Sequence, residues 1–493
     1  MASAFLRKQG QAQHWLGRQP DQESLRLSLK VSGPGTPLPP VRRPDGALPE
    51  VASLTADRIG ITRPSRPLPP PKPRSPWDRI VAWWQGLGRQ IETLGLADRT
   101  AQVRPVHPLP GGLDRTPLLQ SNHPEILRDK GIALSTLPWP GEVHLKQPQS
   151  GAFGIFAHHN NRSGRTLQQS ILLQNPGDKP VSVTIRTRAV YTTPEAPYRD
   201  RRQDIVTDPR GSEASGPGDA TASAVLRQWI EDRPVTLVIP PGGFLPLSTK
   251  GVPQGAEITS RLDLETDGPV HAAVVFSEAN TPKDDVVAQL GAGRRLPPNP
   301  GDKPPTPPGA PGPIIFGRVA GIQEGRAWQG TLTQGAPETF DLTDSPAEKG
   351  FLLIGKATNT LGTDQDQAAP LPHRYADAAF RSHGNYGVLY DLGVPLRNPT
   401  ARAQRVAFHL DTPTPAPGLS RAFRGTLAFT WTDADGKERT RYVNVNQRAG
   451  EDGSQPLVSL DLPPGTVRSV QVRFVYPANA TPPHVLRIAN TPA

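Results

Sequence analysis

The stretch Leu172–Ile185, LLQNPGDKPVSVTI, governs the reading of the whole chain, because its pattern returns as PLRNPTARAQRVAF at Pro395–Phe408. The match sets Asn175-Pro176 on Asn398-Pro399, a spacing of 223 residues. Further on, VTLVIPPG (Val235–Gly242) matches VSLDLPPG (Val458–Gly465) at the same spacing of 223. In both copies a strand ends at an Asn-Pro turn, where Pro fixes φ and Asn tolerates unusual backbone angles. An alternating strand follows, and a later one runs into Pro-Pro-Gly, which cannot continue a ladder because Pro has no N–H to donate. Upstream, GAFGIF (Gly151–Phe156) resembles GNYGVL (Gly384–Leu389) at a spacing of 233, implying about ten extra residues in the first copy around HHNNRSGRTL. A final strand is expected to carry inward Val270, Ala272 and Val274 in the first copy, and Val485 and Arg487 in the second.

Around these anchors the text is strand-like. TLQQSILLQN, PVSVTIRTRAVY, EITSRLDLET and PVHAAVVFS are short β-branched or alternating runs bounded by turn residues. TLAFTWTDADGKERTRYVNV reads as a hairpin turning at Asp435-Gly436. Asp433 and Asp435 there have calcium-loop residue types, but position twelve is Asn444 and both flanks are strands, so the hairpin is the better reading. ATASAVLRQWIED, after Asp219, reads as a short helix within a loop. The fold class expected is all-β: two related immunoglobulin-like or jelly-roll β-sandwich units, at 116–293 and 314–493. Between them, residues 294–313 hold nine prolines and read as a linker or exposed loop.

Residues 1–115 read as a disordered, basic, proline-rich arm, with PGTPLPPVRRP and RPSRPLPPPKPRSP favouring polyproline II. Within it Ile80, Trp84, Leu87, Ile91 and Leu94 recur at helical spacing, predicting an amphipathic helix over about 76–95. That helix either docks on the body or, with Trp83 and Trp84 beside Arg79 and Arg89, touches a membrane surface. The net charge is +10, but residues 1–110 hold 16 Lys/Arg against 8 Asp/Glu, so the remainder is near neutral and specific nucleic-acid binding is not expected. The absence of cysteine excludes disulfides, thiolate nucleophiles and Cys-ligated metals. No apolar run reaches the ~18–20 residues of a membrane span, and the first residues lack the apolar core of a signal peptide.

Two groups of segments resemble a known family. In the second half these are LGTDQDQAAPLPHRYADAAFRSHGNYGVLYDLGVPLRNP and VQVRFVYPANATPPHVLRI; in the first, SNHPEILRDKGIAL, WPGEVHLKQP and GAFGIFAHHNN. Together they resemble a cyanobacterial family of exported proteins catalogued as a domain of unknown function. The resemblance spans about 116–493 and implies a periplasmic, outer-surface or secreted location. It carries no activity and no catalytic residue. The chain departs from the family at its N-terminus, where an export signal would stand.

Few constellations offer chemistry. His158-His159-Asn160-Asn161 sits in the extra segment of the first copy, but adjacent histidines on a strand face opposite ways and chelate poorly. Asp364, Asp366, His373, Asp377 and His383 crowd into the 364–383 loop and would suit acid–base chemistry only if their side chains converged. No G-x-S-x-G, Walker loop, dinucleotide fingerprint or H-E-x-x-H occurs. LPGGLDRT lacks the strand-then-helix setting of a phosphate cradle. The reading is a non-enzymatic structural or interaction protein of the cell envelope or exterior, with an envelope polysaccharide or protein as partner. It assigns no catalytic, metal or cofactor residue. The alternatives are a carbohydrate-binding module using Trp139, Trp328, Tyr375 and Tyr386, and a hydrolase using the 364–383 acids.

Overall fold

A computed structural model describes residues 105–493 except 200–203, 312–313, 316–318, 357–358, 414–421 and 449–453. The expected 76–95 helix and most of the arm lie outside the described residues. Strands dominate. The first half is built on β1 (Gln149–Asn161), β2 (Leu167–Gln174), β3 (Val181–Thr192), β4 (Val235–Ile239), β5 (Phe244–Val252) and β6 (Glu257–Glu278). The second is built on β7 (Ala347–Leu353), β8 (Leu389–Arg397), β9 (Gln404–Asp411), β10 (Ala422–Thr432), β11 (Glu438–Arg448), β12 (Val458–Leu462), β13 (Val467–Val475) and β14 (His484–Pro492). Two helices accompany them among the described residues, α1 (Pro217–Glu231) and α2 (Lys283–Gly291).

The spacing of 223 recurs in the strand pairing. β4 pairs antiparallel with β3, Val235 opposite Ile185 and Ile239 opposite Val181. β12 pairs with β9, Val458 opposite Phe408 and Leu462 opposite Gln404. Each partner is thus displaced by 223. In the same way Phe244 faces Gln174 across β5 and β2, and Val467 faces Arg397 across β13 and β8. This second register is shared as far as the bulge between Pro246 and Ser248. The strand orders agree as well: β4-β3-β6-β1 in one sheet and β12-β9-β14-β7 in another.

A side-chain clamp explains why the Asn-Pro turns recur. Asn175 is fully buried and donates from Nδ2 to the carbonyls of Lys179 (2.7 Å) and Ile239 (3.1 Å), while Oδ1 accepts from the Gly177 N–H (2.9 Å). Asn398 repeats the arrangement on Arg402 (2.8 Å), Leu462 (2.9 Å) and the Thr400 N–H (3.0 Å). One amide closes the turn and ties it to the end of the edge strand beside it.

In the second half the core lies between the β7-β14-β9-β12 sheet and a sheet ordered β8-β13-β10-β11, with Phe351, Phe408, Leu486 and Ile488 from the first meeting Tyr390, Phe429, Val472 and Phe474 from the second. The β10–β11 hairpin turns at Asp433–Lys437, with Gly436 at φ 75°. In the first half Ile155, Leu173, Val183 and Leu264 share a core. Among the described residues the first half has no hairpin corresponding to β10–β11. Its chain between β3 and β4 crosses over instead: the strand Asp204–Thr207 pairs with β11, and α1 packs on β3, β10 and β13.

Several expectations change. The runs EITSRLDLET and PVHAAVVFS form one strand, β6. Its N-terminal part pairs with β1 and β3, and after a register jump between Thr266 and Val270 it pairs with β2. The partner of β14 by register is therefore the start of β6, not Val270–Val274. Arg487 is ion-paired to Asp411 and Glu348 rather than set among apolar groups. GAFGIF lies within β1, whereas GNYGV is a turn entering β8, so their likeness marks no common place in the two halves. The paired chain begins before 116: Val106–His107 adds to β7, and Gly112–Leu113 to the strand Ala327–Thr331. Val319–Glu324, from the second half, pairs with Pro117–Asn122. Within 294–313, Leu296 is buried in the first-half core, and Arg295 bridges to Ile132. No helix among the described residues is long and apolar enough to cross a membrane.

Candidate functional site

The segments that carry the family resemblance meet on one seam between the halves. Gln120 donates from Nε2 to the Tyr386 carbonyl at 2.9 Å. Tyr386 donates its hydroxyl to the Ala480 carbonyl at 3.0 Å. Gly387 has φ 79°, and a Cβ there would stand 2.6 Å from the Phe156 ring, so both backbone shape and space require glycine. This close approach lets Arg261, buried on β6, donate from Nε to the Gly387 carbonyl at 2.9 Å.

Arg261 belongs to an ionic network in which Asp263 is fully and Arg326 partly buried. Its Nη2 lies 2.9 Å from Asp263 Oδ1, which Arg326 also reaches at 3.2 Å. The other oxygen of Asp263 accepts from Trp229 Nε1 and Thr187 Oγ1, each at 2.9 Å. Burial alone would raise the Asp263 carboxyl, but the two guanidinium groups hold it below its ordinary value. Asp263 is fully buried with both oxygens occupied, so it stays ionised and unavailable to solvent. A buried network of this kind is weak evidence for stability, because desolvating its charges offsets their attraction.

Beside it lies an acidic cluster. Tyr198 donates a short hydrogen bond to Glu257, and Asn479 reaches the same carboxylate at 3.3 Å. Glu125 stands near enough to Glu257 and Asp302 that burial, reinforced by both charges, pushes its carboxyl up to about 7. Perturbed acids of this kind gather at functional sites, but also wherever a structural seam crowds like charges.

The histidines face opposite ways. His158 Nδ1 lies 2.8 Å from Thr259 Oγ1. His159 bonds Ser121 Oγ (3.0 Å) and the Pro124 carbonyl (2.8 Å) and stands edge-on to Phe276; burial lowers its pKa to about 3. Ser135 and His144 make a second Ser–His contact, at 2.7 Å, that sequence reasoning did not find. Both serines and both histidines are buried. Among the described residues no three His, Asp or Glu side chains gather closely enough to hold a metal.

The 364–383 groups are not brought together. Asp364 and His373 are exposed. Asp366 pairs with Arg381 at 3.3 Å. Asp377 binds Arg295 and lies 3.4 Å from His123; burial opposes its ionisation, but these two partners hold its carboxyl well below the usual range. Burial lowers His383 to about 3. Of the four aromatics considered for sugar stacking, Trp328 and Tyr375 are buried, Tyr386 stacks on Tyr476 and Trp139 packs on Phe244 and His144.

Pairing and seam together define an all-β protein of several sheets. The chain matches, over residues 104–490, the family described as a protein of unknown function (DUF3370), and it belongs to that family. No curated protein matches the sequence. Among solved structures it is similar to Lac15 from a marine microbial metagenome, at 10% identity over 67% of this chain, with a TM-score of 0.11. The likeness covers 52% of Lac15, about half its length. It is also similar to the oxalate decarboxylase of Bacillus subtilis (11% identity, 70% of this chain and 75% of that one, TM-score 0.09). A third is the CBM22-1-CBM22-2 tandem domain of Paenibacillus barcinonensis Xyn10C (9%, 74% and 91%, TM-score 0.14). Likenesses at these TM-scores carry no argument about what the chain does.

Proposed function

We propose that this chain is a non-catalytic structural or interaction protein of the cell envelope or exterior. In this reading it is built of two related sandwich units, about 116–293 and 314–493, that exchange short strands at their boundary. The observation that carries the reading is the Arg261–Asp263–Arg326 network, which ties β6 to the turn before Ala327–Thr331 in the second half and spends three charges on that link. The acids of the 364–383 loop support it too, since Asp377 is paired with Arg295 and Asp366 with Arg381 rather than with one another. An envelope polysaccharide or protein is the partner this role would take. The test is fractionation of the cells that make the protein, read with an antibody, beside a hydrolase-substrate screen of wild type and Asp377→Ala. Recovery with envelope or medium and no turnover fits the proposal; confinement to the cytoplasm, or turnover lost in the variant, defeats it.

A further inference from the structure

The matching edge strands β4 and β12 differ where it matters for association. In β12 the inward side chains Val458 and Leu460 are 1% and 8% exposed, and the outward positions carry Ser459 and Asp461, the latter paired with Arg405 at 2.8 Å. A charge on the outer face is a common way of blunting a sheet edge. In β4 the residues at the same register are Val235 and Leu237, 57% and 36% exposed, and the position of Asp461 is taken by Val238, 60% exposed. These are three of the four exposed large hydrophobic residues among those described. Their exposure follows from the fold. The hairpin β10–β11, which packs in the sheet opposite β12, has no first-half counterpart among the described residues, where the strand Asp204–Thr207 instead pairs with β11. Further along β3, beyond β4, the free edge is stopped by a side chain: Gln228 accepts from the Arg188 N–H (2.7 Å) and donates to its carbonyl (3.2 Å). Among the described residues no comparable device sits on β4.

We infer that β4 is a self-association edge, on which a second copy of this chain lays its own β4 antiparallel about a two-fold axis at Leu237. Strand addition at an open edge supplies main-chain hydrogen bonds, and the side-chain rows decide the partner. The row Val-Thr-Leu-Val-Ile is uncharged, so its own copy meets it without like-charge repulsion. Pro234 and Pro240 bracket both strands at the same length. In this pairing Glu231, Asp232 and Arg233 of one copy fall opposite Gly243, Gly242 and Pro241 of the other, so no like charges face each other there either. Val235 and Leu237 of the two copies together cover the open end that each half-sandwich leaves. Five residues bury far less than the ~1,200 Å² of a standard interface, so the association is micromolar rather than nanomolar.

The full chain serves for the test. Sedimentation equilibrium from about 1 to 100 µM should show a monomer–dimer equilibrium, which Val238→Asp, copying the charge that β12 carries, should weaken at least tenfold. The variant's circular dichroism should match wild type. Because the chain has no cysteine, Leu237→Cys provides a single thiol at the axis and should oxidise to a covalent dimer, while Val467→Cys, at the other exposed site, should not. Wild type that stays monomeric at 100 µM would overturn the inference and assign the edge to residues 1–104 or to a foreign strand. A dimer that withstands Val238→Asp and gives no Leu237→Cys cross-link would overturn it by placing the contact elsewhere. The inference is independent of the envelope role, since localisation or turnover can fail while the edge pairs, and conversely.

Discussion

Replacing Asn398 with alanine removes one buried amide that makes three backbone contacts: donors to Arg402 and Leu462 and an acceptor for Thr400 N–H. It also abandons the Thr400 hydroxyl at 2.8 Å. Each such bond contributes about 1 kcal/mol net, and a buried group left without a partner costs about 1–3 kcal/mol. Thr400 and Arg402 lie near solvent and can recruit water, whereas the Leu462 carbonyl sits at a wholly buried residue. The expected loss is therefore about 3 kcal/mol. Asn175→Ala should cost the same within about 1 kcal/mol, because its bonds to Lys179, Ile239 and Gly177 are the same three. The two clamps share no partner, so the double variant should lose the sum to within about 0.5 kcal/mol. Asn398→Asp should be worse than alanine, since a carboxylate would face two carbonyls. Urea unfolding followed by fluorescence measures all four. A loss under about 1 kcal/mol at either site, or clearly different losses at the two, would refute the claim that one clamp is used twice.

Other perturbations probe the seam. Glu125 titrates near 7 in the folded chain against 4.5 ordinarily. Its contribution to stability is thus present below pH 4.5 and lost as pH rises to about 7, so Glu125→Gln should stabilise by up to about 3 kcal/mol at pH 7.5 and by nothing at pH 4. Urea midpoints at the two pH values would decide it, and equal effects would contradict it. His159 titrates near 3 against 6.5, so the unfolded chain takes up the proton first and stability falls as pH drops through 6.5 toward 3. His159→Asn should flatten the acid limb of the midpoint-versus-pH curve, and an unchanged limb would refute this. Gly387→Ala should lower the thermal midpoint, at a cost of about 2 kcal/mol or more, through the positive φ and the Phe156 contact; a midpoint within error of wild type would remove the close-approach argument.

What the sequence disclosed was local, or repeated at a fixed spacing. Asn175-Pro176 and Asn398-Pro399 were legible because a turn's chemistry lies within five residues, and the spacing of 223 carried over into strand register because edge and neighbour moved together. Pairing between distant segments was not legible. Nothing near Val106 announces that it adds to β7, and nothing in EITSRLDLETDGPVHAAVVFSE shows that the strand crosses Asp267-Gly268 unbroken. Arg261 and Asp263 alternate with apolar residues as a half-exposed strand would, and the burial of Asp263 comes from Trp229 of α1 and from Arg326, neither of which the strand's own pattern reveals. The seam was missed for the same reason: Glu125, Tyr198, Glu257 and Asn479 are scattered over more than 350 residues and share no motif.

The duplicated register can be tested directly with cysteine pairs, since the chain contains no other thiol. Ser182 faces Val238, and Arg405 faces Asp461, at outward positions 223 residues apart. Ser182→Cys with Val238→Cys, and Arg405→Cys with Asp461→Cys, should each close an intramolecular disulfide under mild oxidation. The pairs shifted by one residue, Ser182 with Leu237 and Arg405 with Leu460, should not. Closure of one register pair but not the other, or preferential closure of a shifted pair, would show that the two halves are not paired alike.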